Sequence, residues 1–170
     1  MIMTTALLVI DVQKGLFEKS TPIYQAHQLL LNINILINKA RQEGVPVFFI
    51  QHSSEKFLEK GSDAWKLHPD IQPAGGETVI HKVHPNAFEA TNLRGELKER
   101  GIDTLVVTGL VTHGCVKATC LGALEEGYRV RLVSDGHSSY SKDAPQLIHK
   151  WNTELSRKGA ELIEAINIRF

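Results

Sequence analysis

Short β-branched runs alternate along the chain with longer amphipathic stretches, and few folds other than a parallel sheet covered by helices on both faces accept that alternation. Strands are expected over Ala6–Ile10, Val45–Ile50, Thr104–Thr108 and Arg129–Val133, with weaker runs at Thr78–His81 and Glu161–Ile163. Between them, Gln25 to Glu43 carries Leu29, Ile33, Leu36, Ile37 and Ala40 on one helical face, and Gly44 supplies a stop. Leu93 to Arg100 before Gly101, and Val116 to Glu126 before Gly127, repeat the pattern of helix followed by glycine. The expected fold is α/β, three-layer and doubly wound in the Rossmann manner, around a mainly parallel six-stranded sheet. A single domain over residues 1–170 is expected, a length that buries a core without disulfides or metal.

Lys plus Arg equal Asp plus Glu at 19 each, so no long-range basic field favours nucleic acid or an anionic membrane surface. The apolar run Ala6-Leu7-Leu8-Val9-Ile10 ends in an aspartate and lacks the basic start and cleavage signal of a secretory peptide, and no other run is long enough to span a bilayer. A cytoplasmic protein acting on a small molecule is the expectation. Cys115 and Cys120, five apart on an expected helix, point in different directions and are read as free thiols, which suits a reducing compartment. No GxGxxG follows the first strand, and neither GxxxxGK[ST] nor GxSxG occurs, so nucleotide binding and serine-hydrolase chemistry lack their usual support. His52, His68, His81, His84 and His113 show no HExxH or HxH spacing and are read as loop or rim residues. Neither a metal nor a cofactor is expected.

In an open parallel sheet the ligand lies beyond the carboxyl ends of the strands. The residues there are Asp11, Gln51-His52, Lys82, the segment from Gly109 to Cys115, and Asp135. Each has a bland reading: Asp11 as a helix cap, Lys82 as a solvated cation, Cys115 as a buried structural thiol. Each also has a chemical one. Asp11 follows five apolar residues directly, where desolvation tunes a carboxylate, and Cys115 falls at the expected first turn of a helix, where unpaired amides lower a thiol's pKa. Acid, cation and thiol at three strand ends would converge in space. The long irregular stretch from His52 to Glu77 is functional by its length, and its Trp65 reads equally as a core plug or a pocket wall.

Taken together, Ala6-Leu7-Leu8-Val9-Ile10-Asp11-Val12-Gln13, Lys82 with Pro85-Asn86-Ala87-Phe88, and Val106 to Val116 with its Gly114-Cys115 pair resemble the isochorismatase-like cysteine hydrolases. Gly127-Tyr128-Arg129-Val130 and Val133-Ser134-Asp135 extend the resemblance in the same order over nearly the whole chain. It implies a triad in which Cys115 attacks a carbonyl carbon, Asp11 takes its proton and Lys82 holds the charges in register. It also implies a cis peptide at Leu110-Val111, backbone amides of Val111 and Cys115 facing the oxyanion, and a homo-oligomer, either dimer or tetramer. Gln13, Phe17, Trp65, Phe88 and Thr112 are expected to shape the substrate pocket. Three departures narrow the activity. Gln51-His52-Ser53 stands where metal-dependent nicotinamidases have Asp-x-His; true isochorismatases lack the cysteine; and Asp135-Gly136-His137 replaces the commoner Asp-Ala without an evident role. A metal-independent hydrolase of small amides or imides is what remains, with nicotinamidase-type or isochorismatase activity as lesser alternatives. A thiol-based redox or ligand sensor and a non-catalytic oligomeric scaffold are the competing classes, but neither needs both Asp11 and Lys82.

Overall fold

A computed structural model describes residues 4–170. Six parallel strands are laid out in the order β3-β2-β1-β4-β5-β6: β1 Thr5–Ile10, β2 Val47–His52, β3 Thr78–Lys82, β4 Thr104–Leu110, β5 Arg129–Ser138 and β6 Glu161–Ile163. The sheet is wholly parallel, where a mainly parallel one was expected. Helices α1 Lys14–Phe17, α2 Ala26–Gln42, α3 Leu93–Glu99, α4 Lys117–Glu125 and α5 Ala144–Arg157 complete the layers.

Side chains in a strand alternate faces, and β1 shows both layers of core at once. Ala6, Leu8 and Ile10 pack with Leu93, Leu97, Cys120, Ala123 and Leu155, so α3, α4 and α5 cover one face. Leu7 and Val9 pack with Leu29, Ile33, Leu36, Ile37 and Ala40, so α2 covers the other, together with Ala165 and Ile168 near the C-terminus. These α2 residues are the apolar face legible in the sequence. Among the described residues no helix is long and apolar enough to cross a membrane.

Two strand ends and one helix depart most from expectation. β2 starts at Val47 because Pro46 has no N–H to give a ladder, while the Val45 amide closes α2 onto Ala40 O at 2.8 Å. β5 does not stop at Val133: its register against β4 shifts between Val107 and Gly109, and it resumes with Gly109 opposite His137 and Leu110 opposite Ser138. α5 was not expected from the sequence, although Leu147, Ile148, Trp151 and Leu155 recur along it at helical spacing; of its residues Ala144 and Leu155 are buried.

Between β1 and β4 the strand order reverses, and an open sheet of this kind splays its loops apart there to leave a crevice. Asp11 leaves β1 on one side of that crevice, and the turn after β4 forms the other.

Candidate active site

The backbone at Asp11 is left-handed, with φ of 49°, a conformation that costs about 1–3 kcal/mol outside glycine and is least unfavourable for Asp and Asn. The Asp11 amide is held by Ile50 O at 2.9 Å, and the bend carries the carboxylate off the strand into the crevice. Opposite it, a π-helical turn, Thr112–Val116, follows β4 and delivers Cys115 just before α4. Val111 O accepts the amides of Gly114 at 3.0 Å and Val116 at 3.3 Å, which closes the turn. The Leu110-Val111 peptide is cis. Lys82 is the last residue of β3 and the register partner of His52 at the end of β2, so the two side chains leave adjacent strands in the same direction.

All these side chains meet at the Lys82 ammonium. Lys82 Nζ lies 2.9 Å from Asp11 Oδ2, 3.0 Å from His52 Nδ1 and 3.2 Å from Cys115 Sγ. An ammonium has three N–H bonds and accepts nothing, so three acceptors saturate it. His52 Nδ1 is therefore unprotonated and its ring neutral, and burial and the Lys82 charge both hold its pKa below the usual value. Lys82 and Asp11 are 2% exposed each, which makes the pair a dry one.

Asp11 has a second oxygen, Oδ1, buried without a conventional hydrogen-bond partner. Burial raises the Asp11 pKa above the ordinary carboxylate value, against the pull of Lys82. The Cys115 thiol is pushed up to about 12 by burial first and by the Asp11 charge next, with Lys82 opposing. A thiol acidified by a helix start was expected, but Cys115 sits in the turn ahead of α4, and burial raises it. The resting site is thus a thiol beside a carboxylate with an unused oxygen, poised for proton transfer at the moment of attack.

Among the described residues, one cluster of metal-type donors is compact enough for a cation: Asp11, His52 and Cys115, whose donor atoms lie within 4.8 Å of one another. The Lys82 ammonium already bonds to all three, so the charge a metal would bring is supplied by the chain itself. At the Asp-x-His place, Gln51 Nε2 donates to Trp65 O at 2.9 Å and Ser53 Oγ accepts from the Trp65 indole at 2.9 Å. Both residues hold Trp65, and these residues do not fit a metal.

The other expected pocket residues divide. Gln13 is fully buried, its amide spent on His52 N, His52 O and Trp65 O. Thr112 is fully buried against His137, and Phe88 is 4% exposed and stacked on Tyr128. These three build the frame instead of facing substrate. Phe17, against the His68 ring, and Trp65, stacked on His81, are half-buried and remain available as walls. His52, read from sequence as a rim residue, belongs to the centre.

The Isochorismatase domain family matches residues 5–165. The chain belongs to the isochorismatase family. It is 38% identical over 138 residues to an uncharacterized family protein, YddQ, of Bacillus subtilis, covering 78% of this chain and 77% of that protein. It is 31% identical to a streptothricin hydrolase of Streptomyces noursei over 92% of this chain, which spans only 58% of that longer protein. Among solved structures, N-carbamoylsarcosine amidase from Thermoplasma acidophilum superposes with a TM-score of 0.88 at 26% identity, covering 99% of this chain and 100% of that one. A family hydrolase on an α/β fold is thereby established, and the relatives of this isochorismatase-family chain include a hydrolase and an amidase.

Proposed function

We propose that this isochorismatase-family protein hydrolyses a C–N bond of a small amide or imide without a metal, through a thioester on Cys115. The observation that carries this reading is the Lys82 ammonium, within hydrogen-bond reach of Asp11, His52 and Cys115 together. Cys115 Sγ attacks the carbonyl carbon while its proton passes to Asp11; the amides of Val111 and Cys115 stabilise the oxyanion. The tetrahedral intermediate collapses as Asp11 returns that proton to the departing nitrogen, which leaves as ammonia or an amine from an amide and as a carboxamide from an imide. Water then attacks the thioester, Asp11 takes its proton, and Cys115 leaves protonated, restoring the thiol and the carboxylate. Lys82 offsets the negative charge that moves between carboxylate and sulfur.

The N-carbamoylsarcosine amidase named above supports the amide class, and the streptothricin hydrolase supports hydrolysis. A redox-sensing role for Cys115 is disfavoured, because a sensor thiol needs neither the Asp11 carboxylate nor the Lys82 ammonium that meet at this one. The substrate is a small molecule, and the working form is a homo-oligomer, which sedimentation would establish.

The test is a panel of small amides assayed for ammonia release, and of imides assayed for the carboxylic acid formed, with wild type and Cys115→Ala side by side. Turnover by wild type that vanishes in the variant and survives exhaustive chelation is expected. An active Cys115→Ala protein, or turnover that needs an added metal, would sink the proposal.

A further inference from the structure

Asp135-Gly136-His137, which takes no part in the steps above, carries a side chain that meets the nucleophile's turn from behind. His137 is 3% exposed, with Nδ1 2.8 Å from Thr112 Oγ1 and Nε2 2.8 Å from Asn152 Oδ1. The proton positions follow from the partners. Asn152 Nδ2 donates to Ser134 O at 3.2 Å, so its oxygen is the end that faces the ring. An amide oxygen only accepts, which places the ring proton on Nε2. Burial keeps a second proton off, lowering the pKa to about 4, so Nδ1 accepts and the Thr112 hydroxyl donates to it.

Thr112 opens the turn that ends at Val116 and includes Cys115, and Asn152 lies on α5. The segment's other residues serve the same placement. A Cβ at Gly136 would lie 2.7 Å from Val133 Cγ1 and 3.2 Å from Thr108 Cγ2, so only glycine brings this stretch so close. Asp135 is fixed by Asn32 Nδ2 at 3.1 Å and by the Ala165 amide at 2.8 Å.

We propose that His137 is a positioning residue whose Nε2–H ring ties Thr112 to Asn152 of α5 and thereby sets the turn that presents Cys115 to substrate. The proposal rests on the reading of Cys115 as nucleophile and deepens it. A bound active site is preorganised by such outer contacts, and displacement of a nucleophile by ~1 Å costs as much as a hundredfold in rate.

His137 and Asn152 also line a cavity of about 460 Å³, shared with Tyr24, Asn32, Asp135 and His149. A small molecule can therefore reach the ring's place from outside, which makes chemical rescue a usable test. Alkylation of Cys115 by iodoacetamide, read at that residue by mass spectrometry from about pH 7 to about 10, requires no substrate. Thr112→Val removes the hydroxyl and keeps the shape, while His137→Ala leaves an imidazole-sized hole beside the cavity. Both variants are expected to change the alkylation rate constant at least about tenfold, and the double variant no further. Added imidazole should restore His137→Ala and leave Thr112→Val unaffected. A wild-type rate in folded Thr112→Val, or a His137→Ala defect that imidazole does not relieve, overturns the proposal. Once an amide substrate is in hand, the loss should fall on kcat with KM retained. If the amide panel yields nothing while these labelling changes occur, hydrolysis fails and the positioning role stands; unchanged labelling beside normal amide turnover defeats the positioning role alone.

Discussion

At the scale of single residues, the site depends on a proton held by sulfur and an oxygen ready to receive it. Asp11 must be ionised to act as base, and its pKa is raised above the ordinary value of 3.8, so the acid limb of activity should lie above that value. Asp11→Asn keeps the size of the side chain and removes the base. It and Cys115→Ala should each cost about three orders of magnitude or more in kcat/KM, with the double variant scarcely worse than either. Additive losses in that cycle would mean the two groups do not act in one step. Cys120→Ala, at a thiol that α4 buries in the core, should keep near-normal activity. The convergence of Asp11, Lys82 and Cys115 was legible because each lies at, or a few residues beyond, a strand's carboxyl end, the edge where such sheets bind ligands. The part of His52 was not, since it arises from the β2–β3 register that sets it beside Lys82. His137 was equally hidden: its partners Thr112 and Asn152 are 25 and 15 residues away, and nothing in a linear pattern joins them.

At the scale of elements, the strands and α2 were readable because their period survives in the sequence; the strand ends were not, and α5 was missed although Leu147, Ile148, Trp151 and Leu155 keep helical spacing. Ser134-Asp135-Gly136 reads as a turn by composition, yet β5 continues through it once the register against β4 shifts. The same junction depends on Gly109, which has φ of +123° and would place a Cβ 2.1 Å from Ile10 O. No rotamer change relieves a clash with backbone, so Gly109→Ala has to move β4 away from β1 where Asp11 and the nucleophile's turn face each other. A loss of roughly 3 kcal/mol or more is expected in urea unfolding. Gly76→Ala is the matched comparison: φ is +87°, but nothing lies within 4 Å of the new Cβ, so the cost should be about 1–2 kcal/mol. Equal costs at the two positions would show that the close β1–β4 approach is not what requires glycine at 109.

At the scale of the whole molecule, the buried titratable groups pull stability in opposite directions with pH. Asp11 has a folded pKa above its unfolded one, so its contribution is full below pH 3.8 and is lost as pH rises through the folded value. His137 runs the other way. Its pKa falls from 6.5 to about 4 on folding, so between those values the unfolded chain binds more protons than the folded one. Its contribution is present above pH 6.5 and disappears as pH falls toward 4, up to about 3 kcal/mol in all. His52, His81 and His113 are shifted in the same direction by burial and add to the slope while being only partly buried. Urea midpoints measured across this range should therefore decline for wild type as the solution is acidified. In His137→Gln, which cannot titrate, the decline should be visibly shallower, leaving the remainder to the half-buried histidines. Because burial holds the ring neutral and Thr112 donates to its bare Nδ1, protonation breaks that link, and the acid loss in wild type should coincide with faster proteolysis around the turn that carries Cys115. Parallel midpoint curves for wild type and variant would mean that His137 is not the group whose protonation undermines the fold.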